Sequence, residues 1–171
     1  AGINKNMDLY LDEGVLSAQE PGFVLLDRKT SHVPSRKGLM VALDLEAYDY
    51  RPGTKTLIRA TEGTIVDRLP PRIRVPEREG VGLPYSRLLI DDPEHTVIEP
   101  LFKEKLTPVY DFELMQGGGH LRGWHIKEPQ LLTQIGTALE RLADKERFQQ
   151  RYEVADDEVM LYAMGDGNHS F

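Results

Sequence analysis

The sequence predicts an α/β (α+β) fold, a mixed β-sheet with an antiparallel hairpin and flanking helices, built as a single domain over residues 1–171. Three observations predict it. Residues 109–114 (VYDFEL) alternate, with Tyr110, Phe112 and Leu114 on one face and Asp111 and Glu113 on the other; a glycine-rich tip and a second extended run at 121–126 follow, the pattern of a β-hairpin. From Pro129 to about residue 150, Leu131, Ile135, Ala138, Leu139 and Leu142 keep helical spacing, and proline stands in the first turn, where its missing N–H costs nothing. Two compact apolar runs, residues 23–27 (FVLLD) and 39–45 (LMVALDL), are bounded by turn formers and have the length of strands.

The remaining elements follow in order. Ile3, Met7, Tyr10 and Leu11 share one helical face ahead of Gly14, a C-terminal cap residue, which predicts a short first helix. Residues 28–38 (RKTSHVPSRKG) are polar, basic and loop-like. Pro70, Pro71, Pro76 and Pro84 make residues 70–84 a long surface excursion, since neither a helix interior nor a central strand accommodates them. Residues 87–90 predict a buried strand. The acidic turn Asp91-Asp92-Pro93-Glu94 suits the start of a short helix over 96–105, kinked or ended at Pro100. Residues 159–163 (VMLYA) predict a buried strand that feeds a turn at 165–170 (GDGNHS).

Composition narrows the function classes. With 40% hydrophobic residues the chain can bury a core, and with no cysteine it can have no disulfide, thiolate metal site or cysteine nucleophile, which fits a reducing compartment. The apolar runs fall far short of the ~20 residues that cross a bilayer, and no signal-peptide pattern precedes them; a cytoplasmic protein is expected. A net charge of -7 argues against nucleic acid as a partner, because counterion release needs a cationic face. The arginines Arg59, Arg68, Arg72, Arg74, Arg78 and Arg87 concentrate positive charge locally, a run best read as a solvated loop.

The chemistry-bearing segments are few. A strand ending in glycines and opening a helix would point successive N–H groups at an anion, so Gly165, Gly167 and Asn168 are candidates to cradle phosphate, Asp166 to hold a metal or act as base, and His169 to move a proton. A tight turn in which Asp and Asn satisfy their own backbone explains the same letters. In RATEGTIVDR (residues 59–68), Thr61 and Thr64 offer hydroxyls, Glu62 a base or metal ligand, and Arg59 and Arg68 positive charge; a salt-bridged loop is the competing account. Thr30, Ser31 and His32 form a polar loop that could reach a ligand or simply close a turn. The Gly117-Gly118-Gly119-His120 tip reads as a hairpin turn, with His120 as a lid contact. His95 and His125 lack a second histidine at metal-ligand spacing, so no dedicated metal cluster is expected. HExxH, GxSxG, GxGxxG and a complete phosphate-binding loop are absent from the sequence.

Through DRKTSHVPSRKGL (27–39), RATEGTIVDR (59–68), LIDDPE (89–94), GGGH (117–120) and GDGNHS (165–170), the chain resembles a bacterial and archaeal family of uncharacterised proteins of unknown function with an Asp-Gly-His-His-Arg-type turn. That family's members look longer at both ends, which implies that this chain is an excised portion. The turn also resembles the phosphate turn of the ParB and sulfiredoxin superfamily, which includes free-serine kinases; here Asn168-His169-Ser170 stands where His-His-Arg would, without the arginine. The leading expectation is a small-molecule phosphotransferase acting on a nucleotide or small phosphorylated molecule with Mg2+, with Glu62, Asp166 and His169 as its candidate catalytic residues. A non-catalytic anion-binding module and a metal-assisted hydrolase are the alternatives. The expectation is that the 165–170 turn, the 59–68 loop and the 30–32 loop converge on one cleft.

Overall fold

Strand-forming residues in this chain sort into two sheets. The computed structural model describes residues 2–63, 65–68, 70, 86–155 and 158–167. The chain divides into two compact units, one of Glu20–Leu43 and Asp92–Phe148, the other of Ala1–Gln19, Asp44–Asp91 and Gln149–Phe171. The fold is α+β: one antiparallel sheet, one mixed sheet, and helices.

The first unit carries a four-stranded antiparallel sheet of β1 (Phe23–Lys29), β2 (Arg36–Met40), β5 (Pro108–Leu114) and β6 (Gly119–Ile126), in the order β2-β1-β6-β5. Residues opposite one another share a face. Leu39, Leu25 and Trp124 form one row, and Lys37, Asp27, Arg122 and Asp111 the next. Lys29, His120 and Glu113 continue the same face, which therefore turns from apolar to charged along the strands. Phe102 meets Trp124 edge-on at 5.5 Å between ring centres. Leu25, Val97, Leu101, Ile126 and Ile135 are almost fully buried in this unit, and full burial of such a side chain stabilises by roughly 1.5–3 kcal/mol.

The predicted hairpin is β5 and β6, joined through a 3-10 turn at Met115–Gly117. The predicted loop at 28–38 is loop only in its middle, because its two ends are strand: β1 runs to Lys29 and β2 starts at Arg36. Only the link between them is a turn, closed by the Thr30 amide donating to the Val33 carbonyl (2.8 Å) and the Val33 amide donating to Thr30 Oγ1 (3.1 Å). The strand expected over 39–45 accordingly ends at Met40.

The helix predicted from Pro129 is present but divided, into α2 (Pro129–Leu142) and α3 (Lys145–Tyr152). Asp144 causes the break: its Oδ1 accepts from the Arg147 amide at 2.8 Å, an N-cap that starts a new helix. Helical spacing continues through the break and hides it. The short helix expected over 96–105 is a 3-10 helix, Glu99–Lys103, with proline in its first turn. Ahead of it Asp92, nearly buried, accepts from the Thr96 amide (2.6 Å), the Val97 amide (2.8 Å) and Thr96 Oγ1 (3.0 Å).

The second unit carries β3 (Ile58–Arg59), β4 (Arg87–Ile90) and β7 (Tyr162–Asp166), in the order β3-β7-β4. β7 runs parallel to β3 and antiparallel to β4. Ile58, Val159, Leu161 and Met164 are buried apolar residues among its described ones. The predicted α1 spans Gly2–Asp12. The strand at 87–90 is present but not buried, because Leu89 is 64% exposed. The last strand begins three residues later than its apolar letters suggest, so Gly165 and Asp166 belong to the strand and not to a turn. Most of the proline-rich stretch at 70–84 lies outside the described residues.

Candidate functional site

The second unit brings two of the three predicted segments together. Arg59 lies beside Ala163 in the parallel ladder, and just beyond it Thr61 Oγ1 donates to the Met164 carbonyl at 2.5 Å. The 59–63 loop thus rides along the end of β7, at the residue before Gly165. A hydroxyl at that offset does this because a parallel partner strand runs in the same direction and carries the loop past the same end of the sheet.

Arg59 is engaged by backbone: its Nη2 donates to the Glu158 carbonyl at 2.6 Å and its Nε to Thr56 at 3.3 Å. Glu62 is exposed in the loop. Asp166 ends β7 with its Oδ2 3.0 Å from Arg87 Nη2, an exposed ion pair across the ladder. Gly167 follows with φ +94, a left-handed conformation that glycine adopts without strain. The backbone of Arg68 lies in a 3-10 helix, Val66–Arg68. Thr64, Asn168 and His169 lie outside the described residues. Ser31 and His32 are exposed and belong to the other unit, in the turn closed by Thr30.

Sequence reading passed over Ser86 and gave Arg87 no role beyond its place in the basic run. A Cβ on Gly167 would stand 2.9 Å from Ser86 Oγ, so this serine abuts the glycine that ends the strand. Only the strand pairing exposes that neighbourhood, since Ser86 and Gly167 are far apart in the chain.

A second titratable group of side chains sits on the hairpin in the first unit. His120 Nε2 contacts Asp111 Oδ1 at 2.5 Å and its Nδ1 contacts Glu113 Oε1 at 2.8 Å, while Arg122 Nε donates to Asp111 Oδ2 at 2.8 Å. Two carboxylates facing both ring nitrogens favour the imidazolium, which alone donates from both. The Glu113 and then the Asp111 hydrogen bonds raise the His120 pKa above its ordinary value, and the His120 bond first, with help from Arg122, lowers that of Asp111. His120 therefore clamps the two strands of the hairpin together.

The linkage has a definite sign. The raised His120 value means a stabilising contribution fully present below the unfolded imidazole pKa of about 6.5 and lost as pH rises through the folded value. The lowered Asp111 value acts at the other end, contributing above about pH 3.9 and fading as pH falls through the folded value. An NMR titration of the imidazole should place His120 above 6.5, and Glu113→Gln should bring it down; a midpoint unmoved by that substitution would refute the clamp.

Among the described residues no group of three or more His, Asp or Glu side chains is arranged to hold a metal ion, and no helix is long and apolar enough to cross a membrane. No curated protein and no solved structure matches the chain. A family model does match, over residues 1–171, under the description "Protein of unknown function (DUF1015)". In keeping with the resemblance carried by its motifs, the chain belongs to the DUF1015 family.

Proposed function

We propose that the end of β7 is a phosphate site and that the protein is a small-molecule phosphotransferase acting on a nucleotide or a small phosphorylated substrate. The observation that carries this reading is the Thr61 bond to the Met164 carbonyl, which holds the hydroxyl- and carboxylate-bearing 59–63 loop beside Gly165, Asp166 and Gly167. In the proposed roles, glycine backbone approaches the phosphate closely, Asp166 and Glu62 serve a Mg2+ ion or a proton, and nearby arginine offsets the charge. The kinase assignment draws on the turn's resemblance to the ParB and sulfiredoxin superfamily. The absence of cysteine supports a reducing, cytoplasmic setting, and the net charge of -7 supports a small anion over nucleic acid as the partner.

Thermal shift with phosphate, ADP and ATP, with and without Mg2+, tests the site. A ligand at 100 times its Kd stabilises by about 2.7 kcal/mol, roughly 5–10 °C for a chain of this size. Turnover is read as Mg2+-dependent consumption of ADP or ATP with an acceptor such as serine. Asp166→Ala should abolish turnover and keep nucleotide binding; full activity in that variant would remove Asp166 from the mechanism. Consumption without an acceptor would favour a metal-assisted hydrolase, and binding without consumption a non-catalytic module.

A further inference from the structure

The register between β4 and β7 slips at the strand end. Arg87 stands opposite Asp166 and Leu88 opposite Met164, so Gly165 has no residue across from it. This is a β-bulge with its extra residue on β7, and a bulge bends the strand and re-aims the side chains beside it. Glycine suits that position, since a Cβ would stand 3.2 Å from the Arg87 carbonyl oxygen and 3.3 Å from Leu89 Cγ. Two residues on, Gly167 brings bare backbone against Ser86. The bulge therefore collects at one strand end the guanidinium of Arg87, the hydroxyl of Ser86, the carboxylate of Asp166 and the unencumbered backbone of Gly167.

Arg87 and Asp166 meet at 3.0 Å with their side chains 71% and 61% exposed. So exposed a pair contributes little to stability, because water screens it and both side chains lose freedom in making it. The guanidinium fork fits two oxygens of a phosphate as well as it fits those of a carboxylate, and a phosphate dianion carries more charge.

We infer that Arg87 is the side chain that grips the phosphate of the ligand, and that Asp166 holds it in position until the ligand displaces the carboxylate. This rests on the reading of the β7 end as a phosphate site and adds to it a specific cation and an exchange. Arg87 is transferred from carboxylate to phosphate, and the same event frees Asp166 for a metal ion or a proton.

Isothermal titration of the whole chain with inorganic phosphate and with ADP, without Mg2+, tests the exchange. Arg87→Gln should weaken both by about tenfold to a hundredfold, the scale of a lost charged hydrogen bond. Asp166→Asn, which keeps the shape and removes the competitor, should tighten inorganic phosphate severalfold. If the wild type binds and Arg87→Gln binds equally well, the inference is overturned and the phosphate site stands. If the wild type binds neither ligand, both are overturned. Should Arg87→Gln fail to fold, Arg87→Lys decides the same point, because lysine keeps the charge and loses the fork; undiminished affinity in that variant would overturn the gripping role.

Discussion

Replacing Gly119 by alanine should destabilise the protein by about 3–5 kcal/mol, the sum of overpacking and backbone strain. A Cβ at Gly119 would stand 2.0 Å from the Lys29 carbonyl oxygen and 3.0 Å from its carbon, both backbone atoms of the neighbouring strand. No rotamer relieves such a clash. The residue also has φ +95, where an L side chain is strained whatever the space around it. Relief requires β6 to move off β1 where Lys29 pairs with His120, which breaks the ladder and pulls on the histidine clamp together. Gly136→Ala is the matched control: that glycine lies inside α2 and its Cβ would meet nothing within 4 Å. There alanine should stabilise by about 1 kcal/mol through helix propensity. Urea unfolding of the two variants checks the pair, and a Gly119→Ala variant within about 1 kcal/mol of wild type, the usual scale of an unremarkable substitution, would contradict the geometry.

Asp92→Ala should cost about 3 kcal/mol, combining lost charged hydrogen bonds with amides left without an acceptor. The carboxylate accepts two amides and a hydroxyl from Thr96 and Val97 while itself only 9% exposed. Val97 and Leu101, both buried, follow directly, so the turn that Asp92 closes sets where that part of the core enters. In thermal unfolding the loss corresponds to roughly 6–12 °C. Asp92→Asn retains one acceptor oxygen and should lose about half as much, since a neutral hydrogen bond is roughly half as strong as a charged one. Equal loss in both variants would show that the charge, and not the turn geometry, carries the effect.

Much of the fold was legible because apolar periodicity encodes it. The alternation of Tyr110, Phe112 and Leu114 marks β5, and the spacing of Leu131 and Ile135 marks α2, whose buried side chains these are. What periodicity could not show lay in single polar residues with local hydrogen bonds. Asp144 ends one helix and begins another without disturbing the spacing, and Thr30 closes the turn between two strands that take in both ends of the polar 28–38 stretch. The site was legible only in its parts. Thr61 and Gly165 stood out as letters, but their meeting at Met164 is a product of the parallel pairing of β3 with β7. Ser86 carried no signal and Arg87 only its place in the basic run; both acquire a neighbourhood through the pairing of β4 with the end of β7. The pairing of His120 was not legible from its place at the tip, because the carboxylates that hold it come from across the hairpin.

The order of strands in the mixed sheet has a consequence for how the protein is made. Among the described residues, β3 and β4 do not pair with each other but are joined through β7, the middle strand and the last of the three along the chain; apart from a parallel bridge between Tyr48 and Ile58, their ladder partners lie on β7. On a ribosome, β1, β2, β5 and β6 are all available before residue 162 has been added. The four-stranded sheet can therefore close while β3 and β4 still wait with unpaired edges, and such edges invite pairing with other chains. The strand that carries Gly165 and Asp166 thus brings, in one step, both the partner that satisfies those edges and two residues of the proposed site.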